Sequence, residues 1–370
     1  MKIVVYAICK NEIDNVEGFM ENTLDADHVY ITDTGSTDGT QSLLRDWQDD
    51  RLQFFEMVMP FFRFDYARNF CLNQIPKDID YCLFLDMDER LENGWYEKLV
   101  RALKDSPDSV YMDLIQSVDE DNKPLSSFYQ LKCHARDNFT WRYPCHEVLI
   151  TDKEDSISVS TEIKVYHNPS DEERDYLPLL EVGAKERPDD QRTLYYYGRA
   201  LYAAGRYVEA IEHLTTALDV PYMQWIKQKA SCYKYLALSH HELSGFGSAE
   251  YYYLQYLSLS LDEAEAFYEV AMAYYDEKSF ELSKALCLRL LKLAQTNQKT
   301  DNFIYRDLEC WTWKPYDLLA YLYYELGDFN GYLVNAVKAV ELNPTDERLK
   351  ANALDAYNHV HPNEQENSDG

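Results

Sequence analysis

Two carboxylates, Asp86 and Asp88, stand two residues apart where the apolar run of YCLFLDMDERLE (residues 81–92) gives way to charge. In an extended chain residues two apart face the same side, so the two carboxylates point together while Met87 points back into the protein. Carboxylates held that close repel one another unless a proton or a cation lies between them, and an oxygen-lined pair of this kind suits magnesium or manganese. The same spacing fits a solvated junction between strand and helix, because DERLENGWYEKLVRAL is predicted to begin a helix and acidic residues favour a first helical turn. The neighbourhood weighs toward the first reading. TDTGSTDGT follows another predicted strand and brings Asp33, Gly35 and Ser36 to the same carboxyl edge, where open α/β sheets hold ligands. Short carboxylate and hydroxyl side chains can bond a base or ribose there, and glycines let the backbone turn tightly. DYARNF, ahead of the strand that carries the pair, adds Arg68, a fixed positive charge able to balance a diphosphate.

The elements that must position these groups are legible as two halves. KIVVYAIC is a continuous apolar run suited to a strand covered on both faces, and EIDNVEGFMENTL then has helical spacing at Ile13, Val16, Phe19 and Met20. HVYITD, the turn cluster TGSTDGT and the helix TQSLLRDWQ continue a βαβ unit with parallel strands. RLQFFEMVM, DYCLFLDMD, SVYMDLI, SSFYQLKCHA and DSISVSTEIKVYH supply further strands of a mixed sheet. After NPSDEERD, residues 168–175, the chain becomes helical, rich in tyrosine and repetitive. Gly198, Ala237, Ala271 and Ala320 align as small residues of four helix pairs. Each is followed at seven residues by a turn position (Gly205, Ser244, Lys278, Gly327), then by an aromatic (Tyr207, Phe246, Phe280, Phe329) and by Ala210, Ala249, Ser283 or Tyr332. Small residues where helices cross closely are what stacked helical hairpins need. AYLYYELGDFNGYLVNAVKAVELNPTDERL closely resembles a tetratricopeptide repeat. We expect an α/β domain over residues 1–170, an all-α repeat solenoid over 171–358 and a disordered tail over 359–370.

The chain has 370 residues, 65 of them acidic and 36 Lys or Arg, for a formal net charge of −29. Such a field repels a phosphate backbone or an anionic membrane, which argues against nucleic acid as a partner. Eight cysteines without a C-x-x-C pair read as buried thiols of a reducing compartment. The apolar run near the N-terminus is too short to span a membrane and has no signal-peptide cleavage pattern, so a cytoplasmic protein with no membrane span is expected. Oligomeric state stays open.

YAICKNE, ITDTGSTDGT, FDYARNF, FLDMDE and TWRYPCHEVL, in this order and at these intervals, strongly resemble the family 2 glycosyltransferases of GT-A fold. The chain looks most like the subgroup in which a short catalytic domain is followed by tetratricopeptide repeats, which includes the sublancin-type cysteine S-glycosyltransferases. The resemblance implies a divalent metal, Mn²⁺ or Mg²⁺, a nucleotide-sugar donor, by family habit a UDP-sugar, and a peptide, protein or saccharide acceptor that the repeats help to capture. It places the family's D-x-D on Asp86, toward the ribose or the metal, and on Asp88, toward the metal. Asp33 matches the carboxylate that recognises the base, Cys9 and Glu12 lie in the segment lining the nucleoside, and Arg68 approaches the nucleotide or its phosphates. Glu147 in PCHEVL, with His146 beside it, matches the catalytic base. His167 in KVYHNPS sits where a third metal ligand is expected, with His134 and His146 as competitors. Trp141 is a candidate to pack on a sugar face or in the core.

Two other functions fit parts of the sequence. A repeat-based adaptor whose α/β half has lost catalysis would not require Asp86, Asp88 and Glu147 together. A nucleotidyltransferase usually shows a Gly- and Lys-rich phosphate loop near its N-terminus, and AICKNEIDN contains no glycine. The 49-residue interval between the last two repeats carries Trp311 and Trp313, either in an interaction loop or in a packed insertion.

Overall fold

The computed structural model describes residues 1–118, 124–168, 175–220, 226–296 and 307–362. They form two compact units, one ending at Pro188 and the next beginning at Asp189. The linker NPSDEERD and the tail lie largely outside the described residues.

In the first unit, β1 (Ile3–Cys9) is buried along its whole length. Its alternating side chains explain why: Ile3, Val5 and Ala7 join Val16, Phe19 and Met20 of α1 (Ile13–Asn22) on one face. Val4, Tyr6 and Ile8 meet Ala67, Cys71 and Leu72 of α3 (Phe64–Gln74) on the other. An uninterrupted apolar strand is the sequence counterpart of a sheet covered on both sides. β2 (His28–Asp33) and β4 (Tyr81–Phe84) flank β1 in parallel, and β3 (Leu52–Glu56) extends the parallel half beyond β2. The remaining strands of the main sheet are β5 (Glu89–Leu91), β6 (Ser109–Val118), β7 (Pro124–Ala135) and β10 (Ser158–His167). Among the described residues the eight strands run in the order β3-β2-β1-β4-β7-β6-β10-β5. β7 is antiparallel to both β4 and β6, β10 runs parallel to β6, and β5 closes the edge antiparallel to β10. Short helices α2 (Thr40–Arg45) and α4 (Trp95–Ala102) complete the α/β unit, with α5 (Leu177–Glu186) near its end.

Two elements differ from the sequence-based expectation. The helix predicted to start at DERLE begins only at Trp95; Glu89–Leu91 instead forms β5, whose Glu89 stands opposite His167 of β10. A hairpin of β8 (Phe139–Arg142) and β9 (Val148–Thr151), unforeseen in the sequence, stands apart from the main sheet and carries the loop 143–147.

The second unit consists, among the described residues, of four helix pairs, a single 3-10 turn at Leu308–Trp311 and a closing helix, the tetratricopeptide-type arrangement expected. The pairs are α6 (Gln191–Ala203) with α7 (Tyr207–Asp219), α8 (Ile226–Ser244) with α9 (Phe246–Leu259), α10 (Ala264–Asp276) with α11 (Phe280–Thr296), and α12 (Lys314–Glu325) with α13 (Phe329–Leu342). α14 (Glu347–Val360) closes the array. The aligned small residues are buried where the helices of each pair meet, and Ser283 Oγ donates to the Ala271 carbonyl at 2.7 Å. Tyr332, the large residue in that series, turns its hydroxyl to Asp355 of α14 at 3.0 Å. In the second pair the left-handed turn residue is Gly245 (φ 78°) rather than Ser244; α8 runs two residues further than the first helices of the other pairs, and Phe246 follows the turn directly. Trp311 is packed: its indole N–H donates to Glu265 Oε1 at 3.1 Å. No helix among the described residues is long and apolar enough to cross a membrane, and all eight cysteines are free and buried.

Gly198 tests the close helix crossing. A Cβ there would lie 2.6 Å from Cγ of the fully buried Leu214. Overpacking of this kind costs about 1–3 kcal/mol, against roughly 1 kcal/mol returned by the better helix propensity of alanine. Gly198→Ala is therefore expected to lower the urea midpoint of the second unit's transition; an unchanged or raised midpoint would contradict the close packing.

Candidate functional site

The 85–88 segment leaves β4 as a turn closed by the Glu89 N–H on the Asp86 carbonyl at 3.0 Å. Met87 goes into the core while Asp86 and Asp88 line a cleft of about 370 Å³. The orientation expected of an extended strand is thus achieved by a turn. β1 ends at the same cleft and contributes Cys9, followed by Lys10 and Glu12. His167 enters from the last residue of β10, because the β5–β10 pairing sets it opposite Glu89. Its Nε2 lies 3.3 Å from Asp88 Oδ2, with side chains 26% and 20% exposed. The bond to Asp88 outweighs partial burial, and with the charges of Asp88, Glu89 and Asp86 it raises the imidazole above its ordinary value of 6.5.

Arg68, on α3, is the hub. Its side chain is 5% exposed, and it donates through Nε to Glu147 Oε1 at 2.6 Å and through Nη2 to Asp86 Oδ1 at 2.7 Å. Its Cζ stands 4.9 Å from the Trp141 ring centroid. Nη1 is buried with no hydrogen-bond partner among the described residues. Burial alone would lower the guanidinium's proton affinity, but Asp86 and Glu147 more than offset it, so Arg68 stays charged. Asp86 shows the complement: burial pushes its carboxyl up, and the charges of Arg68 and Lys132 bring it below the ordinary carboxylate range.

Glu147 is placed by the loop between β8 and β9. Asn69 of α3 makes two bonds to the Trp141 backbone, at 2.8 and 2.9 Å, and the Phe64 N–H donates to the Pro144 carbonyl at 3.0 Å. Within the loop Tyr143 (φ 83°) and His146 (φ 50°) hold left-handed backbone, which costs a non-glycine residue about 1–3 kcal/mol. Phe62, Phe64 and Tyr176 line the cleft beside His146, with ring centroids 4.7 Å apart for Phe62 and Phe64 and 6.0 Å for Phe64 and Tyr176. This aromatic wall was not foreseen from the sequence; FF-x-F in MPFFRFDY is its signal.

The structure brings Cys9, Glu12, Arg68, Asp86, Asp88, Glu147 and His167 to one cleft and leaves Asp33 outside its lining. Asp33 is fully buried, its Oδ1 accepting from Gly35 N, Ser36 N and Gln41 Nε2 at 2.8, 2.9 and 2.6 Å, and its Oδ2 accepting from Ser36 Oγ and the Cys9 thiol. Burial raises its carboxyl, but these bonds prevail and hold it low. Asp33 therefore organises the turn after β2, and Thr34 is the neighbour that reaches the cleft. The Cys9 thiol is driven well above its ordinary range by burial and by Asp33, and the Cys145 thiol is pushed up to about 12, first by burial and then by Glu147. Trp141 is a core residue whose indole donates to Tyr6 Oη at 2.9 Å, and Tyr6 in turn bonds His134 Nε2 at 3.0 Å. Burial lowers His134 to about 4, and it is walled off from the cleft that His146 and His167 line.

A buried ion pair beneath the carboxylates was also unforeseen. Lys132 Nζ donates to Glu89 Oε1 and Oε2 at 2.7 and 2.6 Å, with side chains 0% and 3% exposed.

Residues 4–159 match the model of Glycosyl transferase family 2. No curated protein matches the chain. Among solved structures, the chain is similar to TTC0263, a thermophilic TPR protein of Thermus thermophilus, at 21% identity over 49% of this chain and 88% of that one, with a TM-score of 0.35. MamA of Desulfovibrio magneticus RS-1 is similar at 16% identity over 46% and 85%, with a TM-score of 0.36. The APC/C hetero-tetramer Cut9–Hcn1 is similar at 14% identity over 50% of this chain, with a TM-score of 0.38, and there the match spans only 33% of the other chain. The stretch from β1 into β10 is thus matched by Glycosyl transferase family 2, and the activity class this supports is glycosyl transfer.

Proposed function

We propose that the protein is an inverting, metal-dependent hexosyltransferase that moves a sugar from a UDP-sugar to a peptide, protein or saccharide acceptor in a reducing, cytoplasmic setting. The observation that carries it is one cleft, at the carboxyl ends of β1 and β4, holding Asp88 with His167 and Arg68 with Asp86 and Glu147. Support for the compartment comes from eight free cysteines.

Asp88 and His167 offer one oxygen and one nitrogen donor to the same space, a set suited to Mn²⁺ or Mg²⁺ when phosphate oxygens and water fill the other positions. Among the described residues no three His, Cys, Asp or Glu side chains gather as a metal-binding group, so a bound diphosphate would complete the set. Asp86 has one oxygen on Arg68, and we assign it to the ribose side of the donor. An ion held by Asp88 and His167 would supply Lewis-acid neutralisation of the leaving diphosphate.

The chain's own residues do the rest. The acceptor's heteroatom forms a bond to the anomeric carbon from the face opposite the diphosphate. The bond from that carbon to the phosphate oxygen breaks, and the nucleoside diphosphate leaves. The acceptor's proton passes to Glu147, whose Oε1 is anchored by Arg68 and whose Oε2 has no further partner among the described residues. Cys9, Glu12 and Thr34 bound the nucleoside end, and the helical repeats contribute acceptor capture, as stacked repeats form concave surfaces.

Two outcomes test these roles. Glu147→Gln keeps an acceptor for Arg68 but removes the base, so transfer should fall by roughly 10²–10⁴-fold with donor affinity retained; a variant transferring at near wild-type rate would remove Glu147 from this role. A UDP-sugar at about 100 times its dissociation constant should stabilise the protein by about 2.7 kcal/mol when Mn²⁺ is present. Asp88→Ala and His167→Ala should each abolish the Mn²⁺-dependent part of that thermal shift; if both retain it, the ion is held elsewhere.

A further inference from the structure

The structure assigns a positioning role to the buried pair Lys132–Glu89, which holds the carboxylate-bearing turn 85–88 in register with the cleft. The inference rests on the proposed transfer reaction for its effect on turnover, and on geometry alone for its effect on the turn.

Three contacts tie the pair to that turn. Glu89 Oε2 accepts at 2.9 Å from the N–H of Asp86, as well as from Lys132 Nζ at 2.6 Å. The Glu89 N–H closes the same turn by donating to the Asp86 carbonyl at 3.0 Å. Lys132, near the end of β7, sets its Nζ 4.6 Å from the ring centroid of Phe84, the last residue of β4 before the turn leaves the sheet. Glu89 is therefore bonded to both the N–H and the carbonyl of Asp86, and Lys132 fixes where Glu89 sits.

Stability alone does not account for such a pair. Two charges taken fully out of water gain little over apolar side chains of the same size, and such replacements are often neutral or stabilising. Glu89 also lies within four residues of Asp86 and Asp88, so a third carboxylate has been added where two already repel. Lys132 offsets the added charge from beneath, which leaves the Asp86 side chain to Arg68 and the Asp88 side chain to His167. Backbone bonds hold the ends of the turn, at Leu85 N–H on the Tyr6 carbonyl and at Asn168 N–H on the Asp88 carbonyl, and Glu89 Oε2 is the acceptor that holds the Asp86 N–H between them.

Two double variants separate positioning from core packing. Lys132→Met with Glu89→Gln removes both charges but keeps an amide oxygen for the Asp86 N–H. Lys132→Met with Glu89→Leu removes the acceptor as well. Both are compared with wild type in the full chain by thermal melting, by hydrogen exchange of the Asp86 amide and by Mn²⁺-dependent turnover of UDP-glucose. We expect the two doubles to melt alike. The Gln double should retain exchange protection and a kcat within about threefold of wild type, and the Leu double should lose protection and at least tenfold in kcat. Equal behaviour of the two doubles in exchange, or a Leu double that does not fold while the Gln double does, overturns the inference and assigns the pair to the core. If wild type turns over neither UDP-glucose nor any other UDP-sugar supplied in its place, the reaction proposed above fails, and exchange at the Asp86 amide still decides the positioning role.

Discussion

The cleft depends on one buried guanidinium. Arg68 reaches Asp86 and Glu147, which are 61 residues apart in sequence, and joins the end of β4 to the loop between β8 and β9. A lysine could not replace it, because a point charge on a flexible stem lacks the planar fork that serves two carboxylates at once. Its position follows from α3: Ala67, Cys71 and Leu72 bury one face of that helix against β1 and β4, and Arg68 is carried beside them to the sheet's carboxyl edge. Withdrawn from water, the cation is acceptable only with both carboxylates in place, so the interaction also dictates that Asp86 and Glu147 stay within reach of each other.

The two halves of the sheet make different contributions. The parallel strands β3, β2, β1 and β4 end together and give the edge on which turns, rather than strands, carry the polar groups. The antiparallel and returning strands β7, β6, β10 and β5 deliver what the parallel half lacks. β10 brings His167 to Asp88, and β7 brings Lys132 under Glu89. In the cleft Arg68 stands between Asp86 and Glu147 and His167 stands on Asp88, and beneath the cleft Lys132 balances Glu89.

Much of this was legible in residue order. The unbroken apolar run of β1 and the helix spacing of α1 express burial on fixed periods, which a sequence displays directly. The helix pairs of the second unit were visible for the same reason, through small residues recurring at crossings. What could not be read are features set by tertiary partners. Glu89–Leu91 has acidic and helix-tolerant residues, yet becomes a three-residue strand because β10 offers an edge. Lys132 reads as an ordinary polar position in YQLKCHA, and only its Glu89 partner makes it a core residue. Asp33 carries the residue type and location of a ligand-binding carboxylate, but Gly35, Ser36 and Gln41 consume its oxygens locally. The shift from Ser244 to Gly245 reflects the preference of glycine for left-handed backbone, which outweighed regular spacing.

In the proposed reaction Asp88 and His167 jointly seat a divalent ion against a nucleotide diphosphate. The most direct measurement is a crystal of the full chain soaked with UDP and MnCl₂, with data collected near the manganese absorption edge. The account predicts an anomalous peak within bonding distance of both Asp88 and His167 and of the diphosphate. UDP bound in the cleft without such a peak, or manganese bound away from these two residues, would contradict it.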